Sequence, residues 1–519
     1  MSNLNVSDPV YSLAKHLVRL TAISALTLSL GLTGCVQSLP ETGVDLVLIN
    51  GKINTQSTDK VWAEAIAIND KRIRYVGNSE QAKTLIGKNT QVINLNGQLV
   101  LPGFIDTHAH PILTAGMAHA LHLDLEAKPA DWIKALTEHA ADNPDLTGIV
   151  AFGFLASAFG PQGPTKEMLD AIIPDRPVVV VDEGGHSAWV NSKALTLAGI
   201  DHKTPDPVPG THYYQRDAQG NPTGWCLEAM TFNPMIAKLG LATKEGIIEQ
   251  SGDIFYLFSA FGITTIFDAG FSSFSDMAYE AVDQLANEDR LPFRLVTSHM
   301  IQHPAQLPSA IKTLQSYQQR YGFELVQPRV MKIHNDGTKE ARTAGLFEAY
   351  KGQPDNVGSL LLEGEKLQSF VKEVDQAGFD IHIHAIGDRA VHEALNAFEA
   401  AKSANPQTKS RYSIAHTELI IDEDLSRFAE LNVVAQTTPF WFPAHGEQEI
   451  GKERSEKLYR FRQILDAGAK VTFGSDFPAT GHLLGLSPIV NIEMGQTRQP
   501  PKTTGTPAGQ ASLTLEEMI

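Results

Sequence analysis

The chain runs to 519 residues, 42% hydrophobic and 19% charged, the balance of an ordinary globular protein and too long for one small core. A formal net charge of −17, with no long basic run to offset it, excludes nonspecific binding to nucleic acid or to an anionic membrane surface and leaves a small molecule as the expected partner. With only two cysteines, Cys226 and a Cys35 whose thiol is expected to carry a lipid, no intramolecular disulfide framework is available, and stability must come from packing or metal.

Residues 1–34 read as a lipoprotein signal peptide. Lys15 and Arg19 form a basic flank, and Leu20 to Leu32 is an apolar stretch of secretory length, too short to span a bilayer comfortably. Leu32-Thr33-Gly34-Cys35 resembles a bacterial lipobox. Cleavage before Cys35 and lipidation of its thiol would hold the chain at the cell envelope, on the periplasmic face of the outer membrane in a Gram-negative host. Membrane contact is expected only through that lipid anchor, and residues 35–43 serve as a tether. Residues 44–100 contain four short β-rich runs, Asp45–Ile49, Ala65–Ile68, Ile73–Val76 and Val92–Leu95. The middle two are separated by an Asn69-Asp70 turn, and together the runs predict a small antiparallel sheet.

The next stretch carries the chemistry. An apolar run from Leu99 reads as a buried strand and ends in His108 and His110, followed by Pro111. Side chains alternate along a strand, so both imidazoles can face one cation. From residue 101 onward strand-like runs alternate with helical periods. The runs bounded by turn signals are Gly103–Thr107, Gly262–Asp268, Arg294–Ser298, Val330–His334, Phe379–His384, Tyr412–His416, Val433–Gln436 and Lys470–Asp476. Eight such runs predict an α/β fold, a (β/α)8 TIM barrel over residues 101–490 with a subdomain inserted at about 111–261. That insertion holds further strand candidates at Ile149–Phe154 and Pro177–Val181, and Phe152, Phe154, Phe159, Trp189 and Trp441 are available to line an apolar mouth. Residues 491–519 begin a segment that reads as incomplete: Thr514-Leu515-Glu516-Glu517 has capping-box spacing and opens a helix just before Ile519.

Polar residues interrupt the apolar strands at or near their carboxyl ends. His108 and His110 end the first, Lys332 lies in the fourth, His384 ends the fifth, His416 the sixth and Asp476 the eighth. In a barrel these ends ring one mouth, so residues far apart in sequence can meet around one or two metal ions.

Five stretches in this order resemble the metal-dependent amidohydrolase superfamily, in the amidohydrolase-3 branch that contains N-substituted formamide deformylases. They are Leu101-Pro102-Gly103-Phe104-Ile105-Asp106-Thr107-His108-Ala109-His110, Gly185-His186-Ser187-Ala188-Trp189-Val190-Asn191-Ser192, Lys332 with Asp336-Gly337, His384-Ala385-Ile386-Gly387-Asp388-Arg389-Ala390, and Gly474-Ser475-Asp476. The resemblance implies a barrel flanked by a small composite β-sandwich built from both chain ends, which in the family continues past the point where this chain stops. It implies that His108 and His110 hold one metal, that His384 and His416 hold the other, and that Lys332 bridges the two if carbamylated. An unmodified ammonium has no lone pair to give a cation, so without carbamylation the site would hold one metal. His334 and His382, each two residues from a proposed ligand on the same strand, are rivals. Zn2+ is favoured for mixed imidazole and carboxylate ligands, in one or two ions, while Mn, Fe or Co fit the same set.

The resemblance also implies that Asp476 coordinates metal and accepts a proton from the attacking water, and that His186 stabilises an oxyanion or orients substrate. Asp388 and Arg389 read as structural, and Glu228, in Pro222-Thr223-Gly224-Trp225-Cys226-Leu227-Glu228, matches a branch motif without a task. The expected activity is metal-dependent hydrolysis of carbon–nitrogen bonds other than peptide bonds, on N-substituted amides or formamides. One alternative is a ring deaminase with a mononuclear site, which in this superfamily carries a glutamate soon after the fifth-strand histidine. Here His384 is followed by Ala-Ile-Gly-Asp-Arg, with no glutamate before Glu393. Another is a non-catalytic lipid-anchored binding or regulatory protein, which predicts broken ligands, and none of the six is replaced. Substrate and oligomeric state are left open.

Overall fold

A computed structural model of the chain describes residues 43–57, 61–118, 120–125, 127–160, 162–271, 274–443, 446–503 and 512–519. The expected signal peptide, Cys35 and all of the tether but Gly43 lie outside the described residues. Among the described residues no helix is long and apolar enough to cross a membrane. The chain divides into two compact units at the start of the first barrel strand, Phe104–Ala109, and each is taken by itself.

In the smaller unit all four predicted strands form, as Leu46–Ile49, Ala65–Asn69, Arg72–Gly77 and Gln91–Asn94. Their sheet is mixed rather than antiparallel. Leu46–Ile49 pairs antiparallel with Ala65–Asn69 but parallel with Gln91–Asn94, because a helix, Ser79–Lys83, carries the chain back between them. The hairpin turn sits one residue later than predicted. Asn69 pairs with Arg72, so Asp70 and Lys71 form the turn, both with positive φ of 52° and 59°, the geometry that matches the twist of a tight hairpin. A second sheet, unforeseen, joins Lys52–Asn54 to Trp62–Ala63 and Leu99–Val100.

The larger unit is a (β/α)8 barrel. Its eight-stranded sheet contains each predicted strand in chain order: Phe104–Ala109, Ile263–Asp268, Arg294–Ile301, Val326–His334, Asp380–Ala385, Tyr412–His416, Val433–Thr437 and Lys470–Phe473. The register is parallel in every ladder from the second strand to the eighth. Strands of a barrel are covered on both faces and so read as apolar runs. In the fifth strand, Ile381 and Ile383 are fully buried on one face, while His382 and His384 alternate onto the other.

The first and eighth strands are stitched together by the segments that carry the candidate ligands. Thr107 Oγ1 donates to Phe473 O at 2.7 Å, Asp476 N to His108 O at 2.7 Å and His110 N to Phe477 O at 2.9 Å. The buried Asp106 carboxylate accepts from Ser475 N at 3.0 Å and Ser475 Oγ at 2.6 Å. Because the eighth strand ends at Phe473, Asp476 lies beyond the strand rather than at its last residue. Gly474 is required by close approach: a Cβ there would fall 2.5 Å from His108 N and 2.9 Å from His108 Cβ. Gly474→Ala is therefore expected to destabilise the protein by about 1–3 kcal/mol, as overpacked cores do. An unchanged denaturation midpoint would refute that contact.

The insertion after the first strand builds a six-stranded sheet in the order Tyr213–Arg216, Pro222–Leu227, Ser187–Val190, Val178–Asp182, Ile149–Phe154, Leu121–His122. Alternation along Val178–Asp182 sends Val179 and Val181 to one core and Val178 and Val180 to another. Phe154 and Trp189 pack in the second of these cores, fully buried, and do not reach the mouth; Phe159 packs against the same core. Near the chain's last residue, Thr514 forms the predicted capping box with Glu517 at the start of Leu515–Met518.

Candidate metal centre

The seven residues picked from the sequence, His108, His110, His186, Lys332, His384, His416 and Asp476, all line one cavity of about 110 Å³ at the carboxyl ends of the barrel strands, and His334 joins them. Within it, the donor atoms of His108, His416 and Asp476 lie within 4.8 Å of one another, as do those of His186, His334 and His384. The two groups form one cluster, since the rings of His384 and His416 are 4.4 Å apart between centroids. Asp476 stands at its centre: Oδ1 is 3.6 Å from His108 Nε2 and 3.4 Å from His110 Nε2, and Oδ2 is 3.7 Å from His416 Nδ1. Burial alone would raise this carboxyl, but the hydrogen bond from His110 and the charge near His416 hold it below its ordinary value.

Four of the rings, His108, His110, His186 and His384, are aimed by a partner on one nitrogen. His110 Nδ1 meets Gly270 O at 3.1 Å. His384 Nδ1 meets Asp336 Oδ1 at 2.9 Å, and the same carboxyl accepts backbone N–H groups from Gly345, Ile386 and Gly387. Asp336, pushed up to about 8 by burial, holds the His384 ring by Nδ1, while Nε2 has no partner among the described residues. His382 does not line the cavity. Its Nε2 lies 2.9 Å from His108 Nδ1 and its Nδ1 lies 2.7 Å from Ser413 Oγ, so both nitrogens are engaged in holding the His108 ring. Asp388 accepts from Phe347 N and Arg389 pairs with Glu363, local roles at the start of the helix Asp388–Ala404.

Glu228 gains the task that its motif did not reveal. Its Oε2 lies 2.8 Å from His186 Nδ1, and its Oε1 accepts from Thr343 Oγ1 at 2.6 Å. Burial would lower the His186 pKa, yet the Glu228 charge and hydrogen bond outweigh it and raise it to about 9. Glu228 thereby holds the His186 ring through Nδ1 and favours its protonated form. Glu228, His416 and Asp476 all have positive φ, at 66°, 68° and 47°, a strained backbone that collects at functional sites. Two further residues escaped the sequence reading. Asp268, at the end of the second strand, was visible by the same strand-end signal, and its pKa is pushed up to about 7 by burial. His212, whose ring lies 6.2 Å from His334, has no such signal.

The polar atoms at the centre suit a cation. Lys332 Nζ, His384 Nε2 and His416 Nδ1 are buried and without a hydrogen-bond partner among the described residues. Leaving such atoms unpaired costs about 1–3 kcal/mol each unless a ligand takes them. Burial holds His108, His334 and His384 well below the usual histidine range and His416 at about 3, so these rings are neutral and their lone pairs available. Burial also lowers Lys332 to about 7, giving a substantial fraction of neutral amine, the form that adds carbon dioxide. On the other side of His186, His384, His416 and Asp476, which line both, lies a charged cavity of about 260 Å³, where Lys339 Nζ bridges Glu418 at 2.6 Å and Glu340 at 2.7 Å. Trp441 lines it, while Phe152 lines the 110 Å³ cavity.

Comparison with known proteins finds relatives along most of the chain. A model of the amidohydrolase family matches residues 91–517. The exoenzymes regulatory protein AepA of Pectobacterium carotovorum subsp. carotovorum is 30% identical over 81% of this chain and 90% of its own. The N-substituted formamide deformylase of Arthrobacter pascens is 25% identical over 84% of this chain and 81% of its own. Among solved structures, an uncharacterised metal-dependent hydrolase from Pyrococcus horikoshii OT3 superposes with a TM-score of 0.66 at 23% identity, covering 87% of this chain and 86% of that one.

Proposed function

The chain belongs to the amidohydrolase family of metal-dependent hydrolases, and from that premise we propose that it cleaves the carbon–nitrogen bond of N-substituted amides or formamides. The observation that carries the proposal is the set of buried donors left without partners around Asp476, beside a cationic His186. In this reading His108, His110, His384, His416 and Asp476 would hold one or two divalent ions, Zn2+ in the first place, with carbamylated Lys332 bridging a pair. When bound, such an ion supplies an acidified water and a Lewis acid for the carbonyl oxygen.

The protein's own groups would do the rest. Asp476, ionised and flanked by three imidazoles, takes the proton from water at a carboxylate oxygen and returns it to the departing nitrogen. His186, fixed by Glu228, donates its remaining N–H to the oxygen that gains charge as the carbonyl becomes tetrahedral. Phe152, Val181 and Phe232 in the wall keep bulk water away from that charge. The test is amine release from a panel of formamides and acetamides by protein stripped with a chelator and then reloaded with zinc. Hydrolysis lost on stripping and restored on reloading is the expected result. Undiminished turnover after stripping, or no turnover of any panel member by folded, loaded protein, would overturn the proposal.

A further inference from the structure

A second cavity, of about 220 Å³, adjoins the catalytic one and is unlike it in chemistry. Its lining includes Ile236, Ile247 and Phe274 and contains no aspartate, glutamate, lysine or arginine. Leu113, Met117 and Asn233 line both cavities. Leu113 and Met117 follow directly on the ligand segment, in and just after the helix Pro111–Gly116, so the wall they form is set by the same chain that places His110. Both are partly buried and pack against the core that contains Phe152, Phe232 and Ile236, while lining the two cavities.

Volume and polarity together say what the second cavity holds. The catalytic cavity, at about 110 Å³, is half as large and crowded with polar groups, and it shares His186, His384, His416 and Asp476 with the charged cavity of about 260 Å³, so both sides of the cluster other than the Leu113 and Met117 wall are polar. The neighbouring charged cavity presents carboxylates and Lys339, which an apolar chain could only desolvate at a cost. Building on the amide-hydrolase reading, we propose that the 220 Å³ cavity binds an unbranched apolar chain attached to the scissile amide, making the preferred substrates amphiphilic amides. Water adds to the carbonyl carbon, the carbon–nitrogen bond breaks, and the amine leaves with a proton, so no further reactant is needed. The flexible thioether side chain of Met117 gives the shared wall the adaptability that passage of a chain requires.

The test is a homologous series in two arms: N-alkyl formamides from methyl to decyl, with the chain on nitrogen, and N-methyl amides from acetyl to decanoyl, with the chain on the carbonyl. In the arm that uses the cavity, kcat/KM is expected to rise about three- to fourfold per methylene until the cavity is full. Ala242 and Leu241 line the cavity at partly exposed positions. Ala242→Phe should move the break to shorter chains, and Leu241→Ala should move it to longer ones. Binding of straight-chain alcohols from butanol to decanol, followed by calorimetry on the zinc-loaded protein and both variants, supplies a readout independent of turnover. Hydrolysis with no dependence on chain length in either arm, or a break that neither variant shifts, would overturn the cavity proposal and leave the hydrolase intact. Alcohol binding that strengthens with length and responds to both variants, without hydrolysis of any amide, would support the cavity and sink the hydrolase reading.

Discussion

Asp476→Asn is expected to reduce kcat on an amide substrate by about 10²–10⁴-fold, the range for loss of a positioned acid–base group. The carboxylate lies 3.4–3.7 Å from nitrogens of His108, His110 and His416, and its backbone N–H is fixed by His108 O. Asparagine keeps the shape and one carbonyl oxygen as a donor, so bound metal should change far less than rate. The decisive comparison is metal content against kcat in the same preparation. A variant that keeps its metal and turns over within tenfold of wild type would remove Asp476 from the proton path. One that loses metal and rate together would make its role that of a ligand alone.

Changing both His108 and His110 to alanine is expected to have a still larger effect, abolishing metal retention and with it detectable hydrolysis. These rings sit one residue apart and both point at Asp476, so neither can substitute for the pair from elsewhere. Plasma mass spectrometry on wild type should give one or two equivalents of metal per chain, and on the double variant close to none. The melting temperature should also lose the stabilisation that a ligand confers on the folded state, about 2.7 kcal/mol at a free metal concentration one hundred times Kd. Two equivalents in wild type, with the mass of one carbon dioxide on the peptide containing Lys332, would fit a bridged pair. One equivalent without that mass would fit a single ion and return ring deamination to consideration. Full metal content in the double variant would displace the whole arrangement.

The barrel was legible because most of its strands are buried apolar runs bounded by turns, although Ile149–Phe154 and Pro177–Val181 of the insertion give the same signal and the eighth strand is only partly buried. What escaped was pairing between distant parts. Parallel pairing of Leu46–Ile49 with Gln91–Asn94 depends on the intervening helix, which no local alternation encodes. Phe154 and Trp189 looked as suitable for a pocket as Phe152, because an aromatic ring gives the same signal in a core as in a mouth. The ligand residues were legible from strand ends, yet their supports were not. Glu228 reaches Thr343 across 115 residues, and Asp336 reaches His384 across 48. Such contacts exist only once the fold has closed.

The seam between the first and eighth strands has a consequence for how the protein is made. Thr107 and Phe473 are 366 residues apart, and at ribosomal rates of about 5–20 residues per second the second follows the first by roughly 20–70 seconds. Throughout that interval the carboxylate that His108 and His110 will face has not been synthesised. The donor set is thus closed by a residue that follows the eighth barrel strand, so the arrangement around Asp476 cannot form before that part of the chain exists.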